Sequence, residues 1–373
     1  MTNFSSIHFS RLRYKSWRLA TRLLLGKSAG AAVGENLYRD LEEDWKRPDV
    51  ASHILERRML ADAYVQRYSF AREYPAYFPR AFAFPPRVAY RLQDIVVSPL
   101  SGLYRLPGGR ALQQSMGSIP RFYRNGIVDM LRPASTLKTE QPVIVFSPLD
   151  YFHLLWEAFP QVVLARQAFP ETRVLMPSQH PAVMDRMLDL LGIPAEDRLV
   201  SSHPVRLHHA ILVPRLPESG FVPAFDIQAL RNVLLPNLGA TDMESPEKLY
   251  ISRSHATNRP IENESRLEMI LENRGFRIAH FEEMDFASQL KAIRAARVIV
   301  APHGAGLSNL LAARAGTSVL EIIFPSWFNT CYAKLSLQLG LHYQFIRAKD
   351  DAGSVLPVDE VVSTIEDLEG RLP

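Results

Sequence analysis

Three residues near the middle of the chain have the types and the spacing that proton transfer requires. Asp150, His153 and Glu157 are spaced i, i+3 and i+7, so a helix would present them on one face. An imidazole or carboxylate there could take a proton from a hydroxyl nucleophile, which makes all three candidate catalytic residues. The alternative is that His153 only packs within the helix. No third ligand and no His-Glu-x-x-His motif accompanies His153 and Glu157, so no metal ligands are assigned.

A second candidate site covers residues 302–309, where two glycines follow an apolar run. The pattern predicts a buried strand that leads through a turn into a helix. Glycine lets the backbone approach a ligand or adopt unusual dihedral angles, and the amides at a helix N-terminus attract phosphate. The same glycines could instead serve only a tight turn. The candidate donor-binding residues here are His303, Gly304, Ala305, Gly306, Leu307 and Asn309.

Five other side chains could complete a phosphate and ribose site. Arg253 follows a predicted strand and Arg259 lies before the next helix, and the guanidinium fork matches phosphate oxygens. Asn263 and Glu264 begin that helix, where Glu264 could contact a ligand or simply favour the helix dipole. Glu321 lies inside an apolar strand, where a carboxylate is costly unless it is paired. It could accept hydrogen bonds from ribose hydroxyls or pair with an arginine.

The elements that must position these residues follow an α/β pattern. Strands and helices alternate from about residue 142, a linker is expected at 235–247, and the alternation restarts at residue 248. We expect two Rossmann-like parallel-sheet domains that face a cleft, because ligands of such sheets bind beyond the carboxyl ends of the strands. The predicted divisions are an N-terminal extension (1–95), an N-terminal Rossmann-like domain (96–240), a C-terminal Rossmann-like domain (241–356) and a closing helix (357–373).

The N-terminal extension differs in character from the rest of the chain. Residues 30–95 are rich in proline and aromatic side chains, and proline at that density breaks helices and strands, so we expect an irregular layer. Residues 9–27 combine a basic helical stripe with an apolar stripe that contains Trp17. Such a helix could make peripheral contact with a membrane surface, or it could be an ordinary surface helix.

Composition bounds the class of protein. A chain of 373 residues is long for one core, which favours two domains. A net charge of +4 without dense basic clusters argues against nucleic acid and suits a small anionic ligand. The single cysteine, Cys331, cannot form an internal disulfide and favours a reducing compartment. Because the sequence has no long apolar run and no secretory pattern, we expect a cytoplasmic location. Any contact with a membrane would be peripheral, at the inner face of that membrane.

Taken in this order, the motifs resemble glycosyltransferase family 61, which includes bacterial capsular polysaccharide biosynthesis proteins. The resemblance covers about residues 140–345, and its more specific part is the C-terminal half. Family members commonly have a Trp directly after the motif histidine, whereas here Trp156 follows His153 by three positions. The residues that carry the resemblance are Tyr151, Phe152, His153, Glu157, the run 250–253, Arg259, Asn263, Glu264, Gln289, the run 303–309 and Glu321.

This resemblance implies a GT-B-like fold and inverting transfer of a sugar from a nucleotide-diphosphate sugar. It assigns acceptor binding to the N-terminal domain and donor binding to the C-terminal domain, with Arg253, His303 and the following amides at the diphosphate. We therefore expect a glycosyltransferase that builds a bacterial cell-surface polysaccharide on a glycan or lipid-linked glycan acceptor. No Asp-x-Asp motif stands out in the C-terminal half, so we expect no cofactor and no metal requirement. The alternatives are a sugar-nucleotide epimerase on the same scaffold and a non-catalytic glycan-assembly protein.

Overall fold

The chain is a mixed α/β protein with parallel sheets. The computed structural model describes residues 47–70, 78, 81–107, 111–112, 115, 132–216, 218–239, 247–256, 261–324, 328–348 and 355–369. The predicted basic helix at residues 9–27 and the candidate Arg259 lie outside these residues. Within the described part of the chain, no helix has the length and apolar character needed to cross a membrane.

The first half of the chain builds a nine-stranded mixed sheet. Along its main path the order is β10-β9-β8-β11-β4-β5-β6, with β1 paired to β4 and β7 paired to β11, while β2 and β3 form a separate antiparallel pair. The strands are β1 (Ile54–Ala61), β2 (Tyr64–Arg67), β3 (Ala81–Phe84), β4 (Arg87–Val97), β5 (Tyr104–Arg105), β6 (Ala111–Leu112), β7 (Ser135–Thr136), β8 (Val143–Val145), β9 (Arg173–Pro177), β10 (Arg198–Ser201) and β11 (Val205–Leu212). The helices of this half are α1 (Pro48–Ala51), α2 (Tyr151–His153), α3 (Phe159–Ala168), α4 (Ala182–Leu190) and α5 (Ala224–Asn237), with a 3₁₀ turn at Ala195–Asp197.

In this half the structure differs from two expectations, the irregular layer before residue 95 and the fully parallel sheet. Strand β4 is rich in β-branched and aromatic residues and runs antiparallel between β11 and β5, so the layer before residue 95 is not irregular. Pro85 and Pro86 fall between β3 and β4, where they interrupt neither strand. The sheet is parallel only around β7 to β11, because β1 and β4 to β6 pair antiparallel. The predicted boundary after residue 95 lies within β4.

The second half forms a five-stranded, fully parallel sheet, and all of its predicted strands are present. The order is β13-β12-β14-β15-β16, so the chain steps from β12 to one side and then crosses to the other. The crevice at such a switch point, here between β12 and β14, is where open α/β sheets bind ligands. The strands are β12 (Lys248–Ile251), β13 (Arg277–Ala279), β14 (Val298–Pro302), β15 (Ser318–Ile323) and β16 (His342–Arg347), and the helices are α6 (Glu264–Asn273), α7 (Phe286–Ala295), α8 (Cys331–Gln338) and α9 (Val358–Glu369).

The two halves share one hydrophobic core beside this crevice. The largest cluster of buried side chains contains residues of α3 and α5 together with residues of β12, α7 and β14. Polar contacts add to the apolar packing: the indole N–H of Trp156 donates to the carbonyl of Ser308 at 3.1 Å, and Nη1 of Arg231 donates to the carbonyl of Ala313 at 3.0 Å. The helix after β8 is therefore held directly against the segment after β14.

Candidate active site

A cleft of about 720 Å³ lies at the switch point, within the size range of small-molecule sites. Both halves of the chain contribute to its walls. Asp150, Tyr151, Phe152, His153, Ser219 and Gly220 line it from the first half. Arg253, His255, Glu282, His303, Gly304 and Ala305 line it from the second half. The structure thus brings Asp150 and His153 into one cleft with the core of the predicted donor site.

The helix that carries His153 is interrupted by a π-helical turn. Helix α2 continues through the π turn at Leu154–Ala158 into α3. Pro160 has no N–H for the carbonyl of Trp156, and in a regular helix its ring would clash with that carbonyl, which accounts for the wider turn just before it. Turns of this kind recur at functional sites. Here the turn carries Glu157 next to His153.

His153 and Glu157 form a pair in which one carboxylate oxygen accepts several donors. Nδ1 of His153 lies 3.1 Å from Oε1 of Glu157, and the same oxygen accepts from the hydroxyl of Ser219 at 2.6 Å and from the amide of Gly220 at 3.3 Å. Burial raises the pKa of Glu157, but the hydrogen bonds from His153 and Ser219 and the charges of His153 and Arg215 outweigh it, so the net pKa is lowered. The carboxylate stays ionised and fixes the ring.

A second histidine and carboxylate pair lies on the opposite wall. Nδ1 of His303 is hydrogen bonded to Oε1 of Glu321, and the hydroxyl of Tyr343 donates to Oε2 of the same carboxylate. Glu321 is fully buried on β15, next to β14, whose end carries His303. Tyr332 packs against the ring of His303 at 5.2 Å between centroids. Glu321 is therefore a buried partner of a histidine, rather than of the arginine that was considered.

The two motif glycines are required for space rather than for unusual dihedral angles. Gly304 has φ −177°, which any residue can adopt, but a Cβ there would lie 2.5 Å from Nη1 of Arg253. A Cβ on Gly306 would lie 2.9 Å from Cγ2 of Ile251. The helix that follows is a 3₁₀ helix over Ala305–Ala312 rather than an α-helix. Close packing lets the Arg253 guanidinium lie against the backbone where that helix begins.

Two predicted donor residues hold neighbouring segments in place, and their donor-binding roles remain predictions. Oε1 of the buried Glu264 accepts from the amide of Arg253 at 2.8 Å and from the hydroxyl of Tyr250 at 2.9 Å. Burial raises the pKa of Glu264, although both hydrogen bonds oppose the rise. The side-chain amide of Asn263 bonds both the carbonyl and the amide of Leu356, and so anchors the segment before α9. Neither side chain lines the cleft.

Asn309, Leu307, Gly306 and Glu321 also lie behind the cleft wall rather than on it. Asn309 links the halves, because its Oδ1 accepts from the hydroxyl of Tyr151 at 2.6 Å and its Nδ2 donates to Gln289 at 2.9 Å. Gln289 is the family-motif residue whose role the sequence did not indicate. These residues shape the site without facing it, and the donor-binding roles predicted for them remain predictions.

Sequence reasoning missed several residues of the cleft. Ser219, Gly220, His255 and Glu282 line it, and Tyr343 supports it from β16. Only Gly220, in the left-handed region at φ 82°, had a local signal, since a glycine between non-periodic residues marks a turn. The others come from loops whose proximity depends on the order of the strands. In the part of the chain that the structure describes, no three His, Cys, Asp or Glu side chains are grouped so as to hold a metal ion.

Comparison with known proteins identifies the segment that carries this cleft. The model of the family described as Glycosyltransferase 61 matches residues 151–320, from the start of α2 into β15. Residues 151–320 are therefore similar to glycosyltransferase 61 domains. This confirms the resemblance that the motifs indicated.

One curated relative of this chain has a named activity. Beta-1,2-xylosyltransferase RCN11 of Oryza sativa subsp. japonica is 34% identical over 88 residues, which is 24% of this chain. The match spans only 16% of the rice protein. The relative therefore supports glycosyltransferase chemistry. The sugar and linkage in its name are properties of the rice protein alone.

Proposed function

We propose that this protein is an inverting glycosyltransferase that moves a sugar from a nucleoside-diphosphate sugar to a hydroxyl of a glycan acceptor. The observation that carries the proposal is a single cleft, lined mostly by residues 151–320, that holds Arg253 and two histidines, each paired with a carboxylate. One pair is suited to accept a proton, and the other lies beside groups that favour an anion. The GT-B-like arrangement of two facing domains belongs to this proposal.

The base in this proposal is His153. An ionised carboxylate only accepts hydrogen bonds, so the proton on the His153 ring sits on Nδ1, towards Glu157, and Nε2 keeps its lone pair. Nε2 takes the proton of the acceptor hydroxyl as its oxygen bonds to the anomeric carbon of the donor sugar. The bond from that carbon to the diphosphate breaks, and its electrons leave with the nucleoside diphosphate. Attack from the opposite face inverts the anomeric configuration.

The leaving diphosphate gains charge, and two kinds of group can stabilise it. Arg253 supplies a guanidinium, and the 3₁₀ helix that begins at Ala305 supplies backbone amides, while His303 lines the wall beside them. Fixed positive groups of this kind can replace a divalent cation, so the proposed transfer is metal-independent. A strict Mn²⁺ requirement in a donor-hydrolysis assay would contradict that part.

The test of the proposed function is donor binding followed by turnover. A panel of nucleotide sugars screened by thermal shift should contain one that raises the melting temperature, because a ligand of the folded state stabilises it. With that donor, Arg253→Ala should lose most affinity, whereas Arg314→Ala, an exposed arginine after the 3₁₀ helix, should keep it. Unchanged donor affinity in Arg253→Ala would show that the diphosphate lies elsewhere. If the protein isomerised the donor sugar in the absence of an acceptor, that result would contradict sugar transfer.

The biological setting is the least constrained part of the proposal. Similarity to the family and the motif pattern support a role in cell-surface polysaccharide synthesis, and the single cysteine supports action in the cytoplasm. Peripheral contact of residues 9–27 with a membrane would bring the cleft to a lipid-linked acceptor. Removal of those residues should then lower binding to anionic vesicles without changing hydrolysis of the soluble donor.

A further inference from the structure

Two stacked imidazole rings stand at one end of the cleft, and the proposed reaction uses neither. The rings of His255 and His280 lie 4.0 Å apart between centroids with their planes 11° from parallel. His255 lines the cleft, whereas His280 does not. Nδ1 of His255 lies 2.7 Å from Oε1 of Glu283, which fixes the rotation of the ring. The His255 side chain nevertheless keeps 51% exposure, so a held, flat ring remains open to a ligand.

The order of the strands shows which end of the cleft this is. His255 follows β12 and Glu282 follows β13, and β12 lies between β13 and β14. Arg253 and Gly304 meet where β12 and β14 end. Moving from Arg253 towards β13 along the carboxyl edge of the sheet, the cleft therefore reaches His255 and then Glu282.

The proposed base lies at the other end. The segment after β15 meets the first half of the chain, because Tyr332 contacts Phe152 at 5.8 Å between ring centroids, and Cβ of Cys331 lies 3.6 Å from the position that a Cβ of Gly220 would take. Phe152 and Gly220 adjoin His153 and its partners. The cleft thus runs from His153, past the proposed diphosphate site, to the stacked histidines.

The order of these groups along the cleft matches the shape of the proposed donor. A nucleoside-diphosphate sugar has its sugar at one end, its diphosphate in the middle and a flat aromatic base at the other end. With the sugar beside His153 and the diphosphate against Arg253, the base must extend towards His255. Aromatic rings that stack on bases add affinity with little dependence on base identity, because every base has a π-face.

We propose that His255 is the stacking platform for the nucleobase of the donor, with His280 behind it as a second ring and Glu283 fixing its orientation. The inference rests on the proposed function, since it takes the diphosphate site at Arg253 as its reference point. It assigns a ligand contact to a residue that neither the motifs nor the proposed chemistry had used.

The test compares ligands with and without a base. Isothermal titration calorimetry would measure UDP, GDP and inorganic pyrophosphate on the wild type and on His255→Ala, His255→Phe and His255→Gln. His203→Ala is the matched control, since His203 is an exposed histidine on the loop before β11, away from the cleft. Loss of one base stack should weaken the better-bound of UDP and GDP roughly tenfold in His255→Ala and His255→Gln. His255→Phe should stay within about threefold of the wild type because it keeps a ring. Pyrophosphate affinity should be the same in all variants.

The outcomes separate this inference from the proposed function. Unchanged nucleotide affinity in His255→Ala, or full affinity in His255→Gln with loss in His255→Phe, overturns stacking and leaves the diphosphate site standing. Equal loss of pyrophosphate and nucleotide in His255→Ala also overturns it, because the residue would then serve the phosphates. A wild type that binds neither nucleotide nor pyrophosphate, and no nucleotide sugar, contradicts the proposed function itself.

Discussion

Two histidines line one cleft, each paired with a carboxylate, and the two pairs differ in how much water reaches them. The side chains of His153 and Glu157 are 28% and 11% exposed, whereas those of His303 and Glu321 are 6% and 0% exposed. The first pair can exchange protons with solvent and with a substrate. The second is enclosed by Tyr332 and Tyr343 and is suited to hold one fixed arrangement of donors.

The pairs also differ in how the chain makes them. His153 and Glu157 are four residues apart, at the end of α2 and in the π turn that follows it, so local geometry alone brings them together. His303 and Glu321 are 18 residues apart, and the parallel pairing of β14 with β15 joins them. A local pair tolerates movement of its helix, whereas a pair across strands is fixed by the sheet. The comparison assigns proton transfer to the local pair and a structural and electrostatic role to the buried one.

Removing the proposed base should have the largest effect. We expect His153→Ala to lower kcat by about 10²- to 10⁴-fold with little change in donor affinity, because general base catalysis contributes that much. Steady-state kinetics with saturating donor, together with donor titration, measures both. The matched control is His203→Ala. If His303→Ala lowered kcat as much while donor binding stayed intact, the division of roles between the two pairs would be reversed.

Removing the buried carboxylate should have the next largest effect, on stability. Glu321→Ala leaves His303 and Tyr343 without their acceptor in the core, and we expect the free energy of unfolding to fall by about 3 kcal/mol. Glu157→Ala should cost only about 1 kcal/mol, because water can reach its donors. Urea titrations of both variants give the two values. Equal losses would mean that burial does not distinguish the pairs.

A smaller effect is expected at Gly304, which lies against the guanidinium of Arg253. A Cβ on Gly304 would press on Arg253, so Gly304→Ala should weaken nucleotide binding by about tenfold, equivalent to about 1.4 kcal/mol. In an Arg253→Ala background the same change should add little, since the obstructed group is gone. Additive losses in the double variant would show that Gly304 acts independently of Arg253.

The smallest expected effect is the pH dependence of the pair formed by His153 and Glu157. The folded-state pKa of Glu157 is lowered below its ordinary value of 4.5, so the unfolded state binds more protons as the solution is acidified. The stability that Glu157 contributes is therefore present above about pH 4.5 and is lost as pH falls through the folded-state pKa. Unfolding free energies of the wild type and Glu157→Gln should converge in acid. A constant difference across that range would exclude an ionised Glu157.

The sequence predicted the second half of the fold well because each of its strands is a short apolar run followed by a helix of clear periodicity. It failed for β4, since the dense prolines before that strand were interpreted as breaking it. At the site, His153 with Glu157 was accessible because helical spacing is local. The partner of Glu321 was not, because a pairing between neighbouring strands depends on the order of the sheet. Ser219 and His255 lie on loops without periodicity, so only the folded chain shows their role.

The single cysteine on the cleft wall gives the molecule a built-in chemical reporter. The Cys331 side chain is buried at the start of α8, and burial raises the pKa of its thiol, so the reactive thiolate is suppressed while the fold is closed. An alkylating reagent would therefore react at a rate set by how often the cleft wall around Cys331 opens. A bound nucleotide that clamps the two halves together would slow that rate. The alkylation rate of Cys331 in the native chain would therefore report whether nucleotide occupies the cleft.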